Sequence, residues 1–172
     1  MAKKALLVVD MQNDFISGSL GTSEAVKIVP NVVNKIKEAL ENNEDLFFTL
    51  DTHYDDYLNT LEGKHLPVVH CIEGTIGHEV HKDIKEYLDK AKKVFIKNGF
   101  GYVGIDKELN NYDEITIVGL CTDICVITQA ILLKAGLKNT EIYVDEKCCA
   151  GVNSELHKSA IKTMASCQIN II

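Results

Sequence analysis

Short, continuous apolar runs recur along the chain and are separated by segments of mixed polarity. Runs without alternation are typical of strands whose two faces are both buried in a parallel sheet. The runs that end at a polar or glycine residue are 5–9, 46–50, 94–96 and 115–118, and two later segments, 141–145 and 168–172, complete the set. The pattern therefore predicts six strands.

Segments of helical periodicity lie between these strands. Pro30 suits the first position of a helix that continues to about Asn42, because proline is favoured there. After strand four, Thr122 is the expected N-cap and Gly136 the expected C-cap of a helix. The remaining predicted helices are 79–90, 104–110 and 154–165.

This alternation predicts an α/β protein with a three-layer α/β/α architecture around a six-stranded, mostly parallel, Rossmann-like sheet. We expect one domain over residues 1–172. No G-x-G-x-x-G motif follows the first strand, so the dinucleotide-binding fingerprint is missing. A flavodoxin-like sheet is the alternative topology.

Ionisable residues follow the first four buried runs. Asp10, Asp51 and Lys97 each come directly after a strand, and Cys125 follows strand four closely. In open α/β sheets, ligands bind beyond the carboxyl ends of the strands. The four side chains are therefore expected to meet at one edge of the sheet.

Their chemistry suggests a catalytic cysteine. A thiol in the first turn of a helix has a lowered pKa, since it lies beside unpaired N–H groups and the positive end of the helix dipole. We interpret Cys125 as the nucleophile and Asp10 as its general base and later proton donor. Lys97 is expected to stabilise the thiolate and hold Asp10. The backbone N–H groups of Cys121 and Cys125 are candidates for an oxyanion hole.

A second cluster has the composition of a metal site. Asp51 and His53 stand two residues apart, and His70 can complete a set of three ligands that leaves coordination positions open, as catalytic metals require. The segment between them, 52–77, is too long for a simple connection and is expected to be functional. The other histidines are interpreted as surface or loop residues: His65, His78, His81 and His157.

Composition and charge limit the choice of function. The net charge of −7 disfavours nucleic acid and anionic membranes as partners. No apolar run approaches the roughly 20 residues that cross a bilayer, and MAKKALLVVD is too short in its apolar part for an export signal. A cytoplasmic protein with mostly free thiols is therefore expected, and no CxxC pair is present among the six cysteines.

Together these motifs resemble the isochorismatase-like cysteine hydrolases, and within them the nicotinamidase/pyrazinamidase group. The similar segments, found between residue 5 and about 150, are DMQNDF, LDTH, LPVVHCIEGTIGHE, FIKNGFG and GLCTDICV. The resemblance implies catalytic roles for Asp10, Lys97 and Cys125, and a cis peptide bond before Cys121. It also implies a divalent metal, with zinc the first candidate, on Asp51, His53 and His70.

The reaction implied is hydrolysis of a small carboxamide through a thioester, with release of ammonia. Members of the group usually carry one tryptophan inside the metal motif and another just before the third ligand, whereas this chain has none. Thr52 occupies the first of these positions, and Leu66 or Pro67 lies near the second. The expected substrate-binding residues are Phe15, Phe100 and Tyr102.

Two alternatives remain at this stage. One is an isochorismatase-type hydrolase that acts on a vinyl ether, and the other is a thiol-redox or binding protein that uses Cys121 and Cys125. The expected partner is a small-molecule substrate, and assembly as a homo-oligomer is left open.

Overall fold

The structure is a computed structural model that describes residues 2–172. All six predicted strands are present in one sheet, in the order β3-β2-β1-β4-β5-β6, and every neighbouring pair is parallel. This is the order of a doubly wound Rossmann-type sheet, so the flavodoxin-like alternative is excluded. The strands are β1 Lys4–Val9, β2 Asp45–Asp51, β3 Lys93–Lys97, β4 Glu114–Leu120, β5 Glu141–Ala150 and β6 Asn170–Ile171.

Helices cover both faces of the sheet, as the three-layer prediction requires. They are α1 Asn13–Ile16, α2 Ser23–Glu41, α3 Leu61–His65, α4 Lys82–Lys85, α5 Ile105–Glu108, α6 Ile127–Gly136 and α7 Ser154–Ser166. The long helix α2 packs on one face, and α5, α6 and α7 pack on the other. Among the helices of residues 2–172, none combines the length and the apolar character needed to cross a membrane.

The apolar run of β1 shows why the strands lack alternation. Leu6 and Val8 point into the core beneath α2, whereas Leu7 and Val9 point into the core beneath α6 and α7. Successive strand side chains face opposite sides of a sheet. Because both sides are covered by helices, every buried position of the strand is apolar, and all four of these side chains are fully buried.

The prediction that a helix begins at Pro30 was wrong. Helix α2 begins at Ser23, and the hydroxyl of Thr22 caps it by accepting the Ala25 N–H at 3.0 Å. Pro30 lies inside the helix, where it leaves one intrahelical hydrogen bond unmade. The apolar face that begins at Ala25 and continues through Ile28 outweighs that loss, since burial of the face against the sheet stabilises the extra turns.

The single helix predicted over 79–90 is broken into two short pieces. Only α4 and a 3₁₀ turn at Leu88–Lys90 are helical. Val80 instead forms an antiparallel bridge with Gln12. This bridge draws the start of the segment into extended backbone, where a helix cannot begin.

Strand β5 is longer than the predicted 141–145 because it pairs with β4 a second time. The register shifts between Ile117 and Gly119, after which Gly119 pairs with Cys149. Gly119 has φ +121°, and a Cβ there would clash with the carbonyl oxygen of Val9. Only glycine fits this close approach of β4 to β1.

Candidate active site

The strand order brings the predicted polar ends together. Strands β3, β2, β1 and β4 are successive neighbours, and Lys97, Asp51 and Asp10 stand at or just after the ends of the first three. Lys97 Nζ lies 2.7 Å from Asp10 Oδ2, 3.3 Å from Asp51 Oδ1 and 3.6 Å from Cys125 Sγ. The reversal of strand order between β1 and β4 is the topological switch point at which such sheets bind ligands.

The orientation of Asp10 is set by a side-chain hydrogen bond and by an unusual backbone conformation. The Thr49 hydroxyl donates to Oδ1 at 2.6 Å, and the backbone at Asp10 has φ 47°, which is uncommon for a residue other than glycine. Oδ2 lies close to Lys97 but accepts no aligned hydrogen bond within residues 2–172. Complete burial raises the pKa of Asp10 although the Lys97 ammonium opposes the shift, and a raised pKa suits a carboxylate that must accept a proton.

The turn that carries Cys125 differs from the predicted helix start. A cis peptide bond joins Leu120 to Cys121, as the resemblance implied. Cys121 stands at the N-cap position, and residues Thr122–Val126 form a π-helical turn that continues into α6. Thr122 is not the cap; its buried hydroxyl is hydrogen-bonded to Nδ1 of His157 at 2.8 Å.

The expectation of a lowered thiol pKa was wrong. Burial raises the pKa of Cys125 well above its ordinary value, the Asp10 carboxylate raises it further, and Lys97 only partly compensates. Burial also raises the pKa of Cys121 to about 12. The helix position was visible in the sequence, but the extent of burial was not. Burial therefore opposes formation of the Cys125 thiolate, and the Asp10 carboxylate in the same cluster is the group that can take its proton.

Asp51, His53 and His70 form a compact donor set. All three are buried, and one ligand atom from each lies within 4.8 Å of the others. Both imidazole Nε2 atoms face the same carboxylate oxygen, Asp51 Oδ2, at 3.0 Å for His53 and 3.5 Å for His70. Glu62 Oε1 lies 3.7 Å and 3.8 Å from these two nitrogens and is a fourth candidate donor. Two nitrogens with carboxylate oxygens suit zinc and other first-row divalent metals.

Supporting hydrogen bonds fix these donors, and the residues that make them were missed in the sequence. His70 Nδ1 is bonded to the Val68 carbonyl at 2.8 Å, which directs Nε2 toward the site. The side chain of Gln12 is fully buried; its Oε1 accepts the Asp51 N–H and its Nε2 donates to the Asp51 carbonyl, both at 2.8 Å. Asp14 Oδ2 accepts the N–H of Cys71, beside His70, at 2.8 Å. The DMQNDF segment thus supports the metal donors as well as supplying Asp10.

A cavity of about 190 Å³ opens at Cys125. Its walls are mostly apolar, and the lining also includes Asp51 and Glu62. The apolar lining comprises Phe15, Leu20, Leu66, Phe100, Ile124 and Val152. Phe15 and Phe100 thus line the cavity, and their contact with a substrate stays a prediction. Tyr102 does not line the cavity; its ring packs against Phe95 at a centroid distance of 4.9 Å, which corrects that prediction.

The remaining histidines differ from one another. His65 is exposed, in agreement with the sequence interpretation, and His81 caps α4. His78 is half-buried and bonded to the Thr52 hydroxyl at 2.8 Å. His157 is half-buried on α7 and bonds Thr122, so it is neither a loop residue nor fully exposed. Within residues 2–172 all six cysteines are free thiols, as expected.

The fold and the site together define a doubly wound α/β protein with a cysteine, carboxylate and ammonium cluster beside a metal-type donor set. The isochorismatase domain model matches residues 4–172, and the chain belongs to this family.

Its relatives include two bacterial proteins of similar length. One is the uncharacterised isochorismatase family protein PncA of Bacillus subtilis, 29% identical over 177 residues that cover 95% of each chain. The other is the nicotinamidase/pyrazinamidase of Mycobacterium tuberculosis, 28% identical over 188 residues that cover 98% of each.

Solved structures agree with the fold. The pyrazinamidase of Pyrococcus horikoshii in complex with zinc has a TM-score of 0.85 and 27% identity, covering 99% of this chain and 98% of the other. The nicotinamidase/pyrazinamidase PncA of B. subtilis has a TM-score of 0.86 and 27% identity, covering 98% of each chain.

Proposed function

We propose that this protein is a cysteine-dependent amidohydrolase that cleaves a small, neutral carboxamide and releases ammonia. The observation that carries the proposal is the contact of Lys97 Nζ with both Asp10 and the Cys125 sulfur in one buried cluster. Relatives named as nicotinamidases and pyrazinamidases support it. The C–N bond of a linear amide is accordingly the bond that is broken.

The reaction begins with transfer of the thiol proton. Asp10 takes the proton of Cys125 through Oδ2 as the sulfur attacks the carbonyl carbon. Lys97 offsets the negative charge that the pair carries. The backbone N–H groups of Cys121 and Cys125 donate hydrogen bonds to the oxyanion. Within residues 2–172 the Cys121 N–H has no protein acceptor, so it is free to do so. Asp10 then returns the proton to the departing ammonia, and water hydrolyses the thioester.

Asp51, His53 and His70 would hold a divalent metal, with Glu62 as a further oxygen donor. A divalent ion bound there supplies Lewis-acid chemistry. Zinc is our first candidate, because the ligand set suits it and the P. horikoshii neighbour contains it.

The cavity argues for a neutral substrate. At about 190 Å³ it is smaller than the roughly 300–1,000 Å³ pockets of drug-sized ligands. Asp51 and Glu62 line it, and within the described residues no lysine or arginine does. A substrate that carries carboxylates, such as isochorismate, would find no lysine or arginine side chain in the lining to pair with them, which disfavours the vinyl ether alternative. The raised pKa of both Cys121 and Cys125 disfavours a thiol-redox pair.

The acidic charge leads us to propose an enzyme without nucleic-acid partners, and the six free thiols lead us to propose that it works in the cytoplasm. Assembly as a homo-oligomer would be decided by light scattering on the purified protein.

The proposal is tested by measuring ammonia release from nicotinamide, pyrazinamide and small aliphatic amides. The wild type should release ammonia from at least one of them, and Cys125→Ala should release none while its thermal unfolding stays cooperative. Cys167→Ala is the matched control, since Cys167 is exposed and remote from the cluster. Full activity in Cys125→Ala would refute the mechanism, and no release by the wild type from any primary amide would refute the function.

A further inference from the structure

Gln129 is fully buried in α6, one helical turn after Cys125. Its Oε1 accepts the backbone N–H of Tyr102 at 3.0 Å. Its Nε2 is buried without a partner among residues 2–172. A buried amide that satisfies only half of its hydrogen-bonding groups costs stability, so an apolar side chain would serve packing better. Packing alone therefore does not explain why a glutamine occupies this position.

The hydrogen bond of Gln129 is made to a short loop that borders the candidate active site. Residues 98–103, here called the Phe100 loop, link β3 to α5. Phe100 lines the cavity although about half of its surface is exposed, and the Gly99 carbonyl accepts a hydrogen bond from Lys97 Nζ at 3.0 Å. The loop thus supplies a wall for the substrate and a partner for the catalytic ammonium.

Few side-chain hydrogen bonds hold this loop in place. Apart from Lys97, Gln129 is the one side chain that hydrogen-bonds to the loop within the part of the chain described. A Cβ at Gly101 would overlap the side chains of Leu132 and Thr128 and crowd Gln129. The loop backbone therefore lies directly against α6, and Gln129 fixes its position along the helix that begins beside Cys125.

We propose that Gln129 is a positioning residue that couples the nucleophile helix to the Phe100 loop, and so sets substrate affinity and the placement of Lys97. The proposal rests on the amidase function for its kinetic consequences. Its structural part, the restraint of the loop, can be measured without substrate.

The test uses Gln129→Met, which keeps the size but removes the acceptor, and Gln129→Glu, which keeps an acceptor oxygen. In Gln129→Met, amide hydrogen exchange of the Phe100 loop should accelerate and KM should rise about fivefold, the effect of one lost buried hydrogen bond, with a smaller fall in kcat. The midpoint of thermal unfolding should change little, because the unpaired Nε2 is removed as well. Gln129→Glu should recover most of the wild-type KM.

The control is Thr140→Val. Thr140 is buried and its hydroxyl donates to the Tyr112 carbonyl at 2.8 Å, away from the cavity. This variant loses an equivalent bond and should keep the wild-type KM and loop exchange. Unchanged exchange and KM in Gln129→Met would overturn the proposal, as would a Gln129→Glu variant no better than Gln129→Met. If the wild type hydrolyses no amide, the proposed function fails, and the exchange measurement still decides the role of Gln129.

Discussion

The Lys97 ammonium lies 2.7 Å from the Asp10 carboxylate, and the two residues are only 5% and 0% exposed. Burial of either charge alone would be costly, so each depends on the other. Asp51 adds a second carboxylate 3.3 Å from the same ammonium. Stability and catalysis are therefore linked in this pair, and they can be separated by substitution.

We expect Lys97→Met to lose activity and about 3–5 kcal/mol of unfolding free energy, because it leaves buried carboxylates unpaired. The double variant Lys97→Met/Asp10→Asn should recover much of that stability without recovering activity. Urea unfolding with ammonia assays measures both. Lys85→Met, which removes an exposed pair with Glu79 at 2.7 Å, is the control and should change the unfolding free energy little. Equal losses for Lys97→Met and Lys85→Met would contradict the argument.

The raised pKa of Cys125 predicts slow alkylation at neutral pH. The thiolate is the reactive species, so a pKa above the ordinary value of about 8.5 should keep the iodoacetamide rate rising into the alkaline range. Asp10→Asn removes a negative charge that raises this pKa. The rate profile should therefore shift to lower pH in that variant, even as amide hydrolysis is lost. Mass spectrometry of the Cys125 peptide gives the rates, and a wild-type rate already maximal at neutral pH would contradict the prediction.

The donor set predicts one bound divalent metal per chain, measured by elemental analysis after purification. His70→Ala should abolish stoichiometric binding, and Glu62→Gln should weaken it less, since Glu62 lies farther from the two histidines than Asp51 does. His65→Ala, an exposed change nearby in sequence, should leave the metal content as in the wild type. Retention of full metal content in His70→Ala would rule out this site.

Asp14 is predicted to act on the metal through the backbone. Its carboxylate receives the Cys71 N–H, and Cys71 has φ 46° immediately after His70. Asp14→Ala should weaken metal affinity about 10–100-fold, the usual effect of losing an outer partner of a ligand. Titration of the metal-free protein with zinc measures this. An unchanged affinity would show that His70 is positioned without Asp14.

The sequence was sufficient to locate all six strands, though not the second half of β5, and to find the ionisable residues at the strand ends. Continuous burial leaves a readable apolar run, and an ionisable residue such as Asp10 at the end of that run marks the functional edge. Gln12 and Glu62 could not be found in this way, because their roles depend on bonds between segments distant in the chain. The pKa of Cys125 was misjudged for a related reason: burial by the folded chain outweighed the local effect of the helix start.

The order of the strands sets a minimum length for the side chain at position 97. Strand β2 lies between β3 and β1, so the backbone of Lys97 stands two inter-strand spacings, about 10 Å, from that of β1. The four-carbon stem of lysine bridges this gap across the intervening Asp51. A histidine there would be too short to meet Asp10. The geometry of the sheet, as much as the chemistry of the amine, thus dictates which cation this position can use.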